Sequence, residues 1–201
     1  MKTKLFYAIL VAASVCLQSC TPSYAKDKED AKDKEDAKET SSGERLEISF
    51  RFQRGGIASS QYAIWIENQT GQLIRTLYAT SFTAEGGYEY RKDALPIWVS
   101  KAKPQALSSA QTDAITGATP QNGVVTYQWD GTDDKGNRVP IGIYTFFIEG
   151  TLYWKSRVIY SGKLDWGGSE QESIPVKVQH FHPSQTNECM ITELKACHFK
   201  K

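Results

Sequence analysis

From residue 46 to residue 52 the chain reads Leu46, Glu47, Ile48, Ser49, Phe50, Arg51, Phe52, apolar and polar in strict turn. A period of two belongs to a strand with one face in a core and the other in water; a helix would scatter those four apolar side chains around its axis. Tyr62 to Glu67 and Leu73 to Tyr78 read as two more strands, and Asn68, Gln69, Thr70 and Gly71 between them supply a hairpin turn. Residues 124–129 and 143–150 continue the series, residues 151–160 extend or pair with the latter, and residues 174–181 close it, with Pro175 favouring a sheet edge. Between residues 95 and 112 the regularity lapses into a loop-like stretch of Ser, Ala, Gln and Thr whose composition allows a short helix over 104–110. Short strands with frequent turns predict an all-β fold, an antiparallel β-sandwich.

The strands begin only after an unlike leader. Lys2 and Lys4 precede an apolar run over residues 5–15, the two regions of a secretory signal peptide and too short for the about 20 residues of a membrane span. The run ends at Leu17-Gln18-Ser19-Cys20, which resembles the bacterial lipobox, although Gln18 is bulkier than the residue usual there. That resemblance implies cleavage before Cys20, lipidation of its sulfur and new amino terminus, and a membrane partner reached through the lipid alone. Within residues 20–43, Ala-Lys-Asp-Lys-Glu-Asp stands twice over 25–36, and such a charged segment cannot bury enough apolar surface to order itself. It serves as a disordered spacer, or as an address for outer-membrane sorting. Three regions are therefore expected: signal peptide 1–19, lipid-anchored linker 20–43 and β-sandwich 44–201.

A net charge of +1 argues against a nucleic-acid partner. Once Cys16 leaves with the signal and Cys20 takes lipid, Cys189 and Cys197 are left as a pair in an oxidising compartment, where a disulfide is the default. A helix capped at Asn187 would instead hold them about 12 Å apart along its axis, beyond bridging distance. A bridged hairpin or loop is the preferred alternative. Asp130, Asp133 and Asp134 invite a calcium reading, but they lack EF-hand spacing and turn chemistry already accounts for them. His180 and His182 share one face of a strand without a third ligand, so no metal site is expected.

The segment from Trp129 to Pro140, with Gly142, Tyr144 and Phe146, resembles the strand-turn-strand of bacterial immunoglobulin-like modules and implies that fold. Ahead of it, Asp113-Ala114-Ile115-Thr116-Gly117-Ala118-Thr119 resembles the motif modified by bacterial FMN transferases: Asp, two variable positions, Ser or Thr, Gly, Ala, then Ser or Thr. The resemblance implies covalent FMN, held as a phosphoester on Thr119 after its hydroxyl attacks the pyrophosphate of FAD. An alcohol is a weak nucleophile, so the transferase must activate it. What the acceptor needs is access. Gly117 would let the backbone bend, Ala118 would avoid bulk, and Asp113 and Thr116 would act as recognition residues fixing a loop through backbone bonds. Pro120 would keep Thr119 extended.

A wider likeness, through Tyr62 to Glu67, Gly71, Ile74 to Leu77, Leu95 to Trp98, Asp113 to Thr119 and Trp129 to Gly131, is to a family of predicted periplasmic proteins of unknown function. It covers residues 44–150 and departs after that. Members are regarded as flavinylation substrates, which implies a cell-envelope electron carrier with redox protein partners, not an enzyme with its own substrate. Trp98 and Trp129 flank the motif; they stack on the ring or, more in keeping with their setting, lie in the core. The competing reading is an unmodified immunoglobulin-like module that binds a partner or has a structural role.

Overall fold

A computed structural model describes residues 43–54, 60–117, 120–153, 155–182 and 190–200. The expected signal peptide, Cys20 and the linker, and also Ala118, Thr119 and Cys189, lie outside the described residues. Among those described, nine strands form two sheets. Strands β1 (Arg45–Phe52), β5 (Gly123–Trp129) and β9 (Ile191–Phe199) make a three-stranded sheet in the order β5-β1-β9. The other sheet has six, in the order β4-β3-β2-β6-β7-β8: β2 (Gln61–Asn68), β3 (Leu73–Thr80), β4 (Thr116–Gly117), β6 (Gly142–Tyr153), β7 (Ser156–Trp166) and β8 (Val176–Phe181). All pairings are antiparallel except β3 with β4.

The strand pattern places the core. Leu46, Ile48, Phe50 and Phe52 of β1 are all buried and meet Ile64, Ile66, Phe146, Ile148 and Leu164 from the larger sheet. This is the all-β sandwich expected from the alternation. Residues 191–199 are extended, so the helix through Cys197 does not occur. β8 is an edge strand, as Pro175 suggested. At the start of β6 the Tyr144 hydroxyl donates to the Pro140 carbonyl at 2.8 Å, a corner bond of the kind that fastens immunoglobulin-type sandwiches.

One strand departs from simple alternation. Seven of the eight residues of β2 are buried, so both faces of this strand are covered. The second cover is a partial layer of helices on the outer face of the six-stranded sheet, built from the stretch between β3 and β4, whose residues 95–112 composition marked as loop-like. It comprises α1 (Ser81–Ala84), α2 (Pro96–Ala102) and α3 (Ser109–Ile115), with 3-10 turns at Gly87–Glu89 and Pro104–Ala106. Ala63 and Trp65 of β2 join Ala79, Ala84, Leu95 and Trp98 in a second apolar cluster under these helices.

Distant polar groups tie this layer down. The buried Glu149 carboxylate on β6 accepts from the backbone amides of Trp98 at 2.8 Å and Ile97 at 3.3 Å, so a side chain far along the chain satisfies the first turn of α2. The Leu95 amide donates to the Thr151 hydroxyl at 3.0 Å. At the other end of α2, Lys101 pairs with the buried Glu67 at 3.0 Å and donates to the Gly71 carbonyl at 2.6 Å. The hydroxyls of Thr80 and Thr83 both donate to Gln61, which fixes α1 to β2. Two buried sheet carboxylates thus clamp α2 at its two ends.

Candidate functional site

The segment expected to accept FMN leads from the helical layer to the sheet edge. α3 is opened by a capping box: the Ser108 hydroxyl accepts from the Gln111 amide at 3.3 Å, and the Gln111 side chain accepts from the Ser108 amide at 2.9 Å. The helix spans residues 109–115, not 104–110, so Asp113, Ala114 and Ile115 of the motif are helical and not in a loop. Asp113 is exposed, and neither its carboxylate nor the Thr116 hydroxyl makes a hydrogen bond among the described residues. The loop-fixing bonds expected of these two are therefore not seen there.

Thr116 and Gly117 form β4, which pairs in parallel with Ala79 and Thr80 at the open edge of the larger sheet. The Ser81 hydroxyl donates to the Gly117 carbonyl at 3.2 Å. Gly117 lies in this extended bridge, without the left-handed backbone of a sharp bend. Its lack of a side chain matters for another reason: a Cβ there would lie 3.3 Å from the ring of Tyr78, closer than side chains normally sit. The described residues on either side of the expected attachment position are accessible. Gly117 and Pro120 are half-exposed, and Gln121 and Asn122 are open to solvent.

Tyr78 belongs to a group of three tyrosines that sequence reasoning missed, because in β3 it reads as one more apolar residue. Its ring stacks on Tyr62 at 4.8 Å and lies 5.3 Å from Tyr127. The Tyr62 and Tyr127 hydroxyls share a hydrogen bond of 2.5 Å. The buried Tyr78 hydroxyl feels the Tyr62 hydroxyl but makes no hydrogen bond of good geometry among the described residues. Burial pushes Tyr127 up to about 12, against a smaller opposing effect of the Tyr62 hydrogen bond. Burial, reinforced by Tyr127, raises Tyr62 further. All three stay neutral at physiological pH, so the group offers hydroxyl donors without charge.

Two clefts flank α3. One, of about 440 Å³, is polar and is lined by Glu85, Tyr88, Glu89, Gln105, Thr112 and Asp113. The other, of about 210 Å³, is more apolar and lies between α3 and the outer face of the sheet, with Leu73, Ala102, Leu107, Ala110, Ala114 and Ile115 in its walls. Thr76 and Asp134 also line it, and the Asp134 carboxylate accepts from the Thr76 amide at 3.1 Å.

The remaining candidates resolve by geometry. Trp98 and Trp129 are both buried, and their indole N–H groups donate to the Thr76 hydroxyl and the Thr132 carbonyl. They are core residues and present no face to a ring. Asp130 accepts from the Thr132 amide and hydroxyl and neighbours Arg75; Asp133 accepts from the Lys135 and Asn137 amides. Those carboxylates are occupied by their own turn. His182 falls one residue beyond β8 with a left-handed backbone, so it does not share a strand face with His180. Cys197 is a free thiol whose sulfur donates to the Glu172 carbonyl at 2.9 Å; Cys189, its expected partner, lies outside the described residues. No helix among the described residues is long and apolar enough to cross a membrane.

A solved structure of truncated FlgD from Helicobacter pylori is similar over 75% of this chain and 81% of that one, at 17% identity and a TM-score of 0.32, too low to support an argument. No curated protein matches the chain. A family model described as "Predicted periplasmic protein (DUF2271)" matches residues 44–181, past residue 150 where the likeness was expected to fade and through the end of β8. The chain belongs to this family of predicted periplasmic proteins.

Proposed function

We propose that this protein is a cell-envelope lipoprotein, anchored through Cys20, that carries FMN on Thr119 and transfers electrons between redox partners outside the cytoplasm. The observation that carries the reading is the setting of the motif: it begins on the exposed end of α3, its Thr116 and Gly117 lie at the open sheet edge, and the described residues on both sides of the proposed attachment position are exposed or half-exposed.

In attachment, the Thr119 oxygen forms a new bond to the FMN phosphorus of FAD, the pyrophosphate linkage breaks, AMP leaves, and the hydroxyl proton passes to a base of the transferase. Asp113, Thr116, Gly117 and Ala118 form the segment that an FMN transferase grips. Once bound, the flavin supplies reversible electron uptake and release. The protein's part is to hold it on a rigid scaffold outside the cytoplasm. Coexpression with an FMN transferase should give an intact mass higher by one FMN less water, and Thr119→Ala should abolish the increment. An unmodified wild-type chain under those conditions would refute the proposal.

A further inference from the structure

We propose that the apolar cleft between α3 and the outer sheet face is the seat of the flavin's isoalloxazine ring; this rests on the attachment of FMN to Thr119 proposed above. α3 itself points that way. It is a seven-residue helix with no buried residue, far shorter than the roughly 12–15 residues at which an isolated helix becomes even marginal in water. Ala110 and Ala114, one turn apart, turn small side chains toward a cleft that Leu73, Ala102 and Leu107 close on the other sides. The α3 wall of Ala110, Gln111, Ala114 and Ile115 leaves a hollow against the sheet that the described residues do not fill.

The attachment point is close by in the chain. Ile115 lines the cleft, and four residues of chain span at most roughly 14 Å, so a ring on the ribityl arm of Thr119 is a tethered ligand at high effective concentration. Size is in keeping too: about 210 Å³ falls below the roughly 300 Å³ at which pockets begin to enclose a whole small molecule. The cleft thus suits a flat ring system and leaves the polar arm and phosphate outside. The neighbouring polar cleft is larger, but its Glu85, Glu89 and Asp113 would repel a phosphate. At the rim of the apolar cleft, Asp134 offers an acceptor for the imide N–H of the ring, and the alanine face of α3 offers apolar contact.

The test uses full-length protein coexpressed with an FMN transferase, with intact mass confirming the adduct, and measures iodide quenching of flavin fluorescence against free FMN. Wild-type flavin is expected to be shielded several-fold. Ala110→Leu and Ala114→Leu, each filling the cleft from an exposed helical position, are expected to return quenching toward the free value with the adduct intact. Wild-type flavin as open to iodide as free FMN overturns the inference, and so does shielding that survives both substitutions. An absent adduct overturns the attachment proposal itself, which the mass distinguishes from misplacement of the ring.

Discussion

Glu149 is the residue on which the helical layer depends most, and its replacement tests how that layer is held. Its side chain is fully buried, accepts the Trp98 and Ile97 amides, and has Arg157 Nε 3.5 Å away. Truncation to Ala would orphan two amides and strand a largely buried guanidinium whose Nε makes no hydrogen bond among the described residues. Breaking a buried pair in this way costs about 3–5 kcal/mol. Glu149→Gln is milder: the amide oxygen keeps one helix N–H but presents a donor to the other, losing a charge-assisted bond worth about 1.5–3 kcal/mol. Burial raises Glu149 above its ordinary value, and the two amides and Arg157 offset this only in part. A folded-state value above the unfolded one means that stability is fully present below the ordinary carboxylate range and falls as pH climbs through the raised value. The Gln variant lacks that slope. Denaturant unfolding of wild type and Glu149→Gln at pH 5 and pH 8 should therefore show a gap that narrows at the higher pH. A gap that widens would mean that Arg157 and the amides outweigh desolvation, and the account of this carboxylate would be wrong.

Other substitutions probe separate features. Gly117→Val should lower stability by about 1–3 kcal/mol through crowding against Tyr78, read by denaturant unfolding, and should slow FMN attachment in a transferase assay. Tyr144→Phe removes the corner bond to Pro140 and should cost about 0.5–1.5 kcal/mol with the fold intact by circular dichroism. Trp98→Ala empties the centre of the second apolar cluster and should cost about 3–5 kcal/mol; a loss under 1 kcal/mol would show that the helical layer contributes little to stability.

Seven strands were legible because each reports its own environment; β4 and β9, read as loop and as hairpin or loop, were not. β1 alternates since one of its faces meets the core, and the β2–β3 hairpin announces itself through Asn68, whose side chain accepts from the Thr70 and Gln72 amides. The helical layer was not legible, because its causes are remote. α2 has no cap of its own: Leu95 provides no side-chain cap, and the one carboxylate that satisfies its start, Glu149 on β6, stands 51 and 52 positions from the two amides it accepts. α3 has a readable capping box at Ser108 and Gln111, yet its polar, alanine-rich face gives no apolar stripe to weigh against a loop. The acceptor motif was found by its order of residue types. Its division between a helix and a sheet edge follows from the pairing of β4 with β3, which no local signal encodes.

The neighbours of β1 bear on how such a chain matures after export. β1 is flanked by β5 and β9, and the ion pair of Arg51 with Glu193 joins residues 142 positions apart. Closing so long a loop precedes any reward from the contact and slows folding. A polypeptide threaded through a translocon from its amino end would deliver β1 first and hold it unpartnered on one side until β9 had emerged. The edge of β1 that pairs with β9 would stay open throughout that wait, which makes the interval before the three-stranded sheet closes a period of exposure to periplasmic proteases and of need for a holding chaperone.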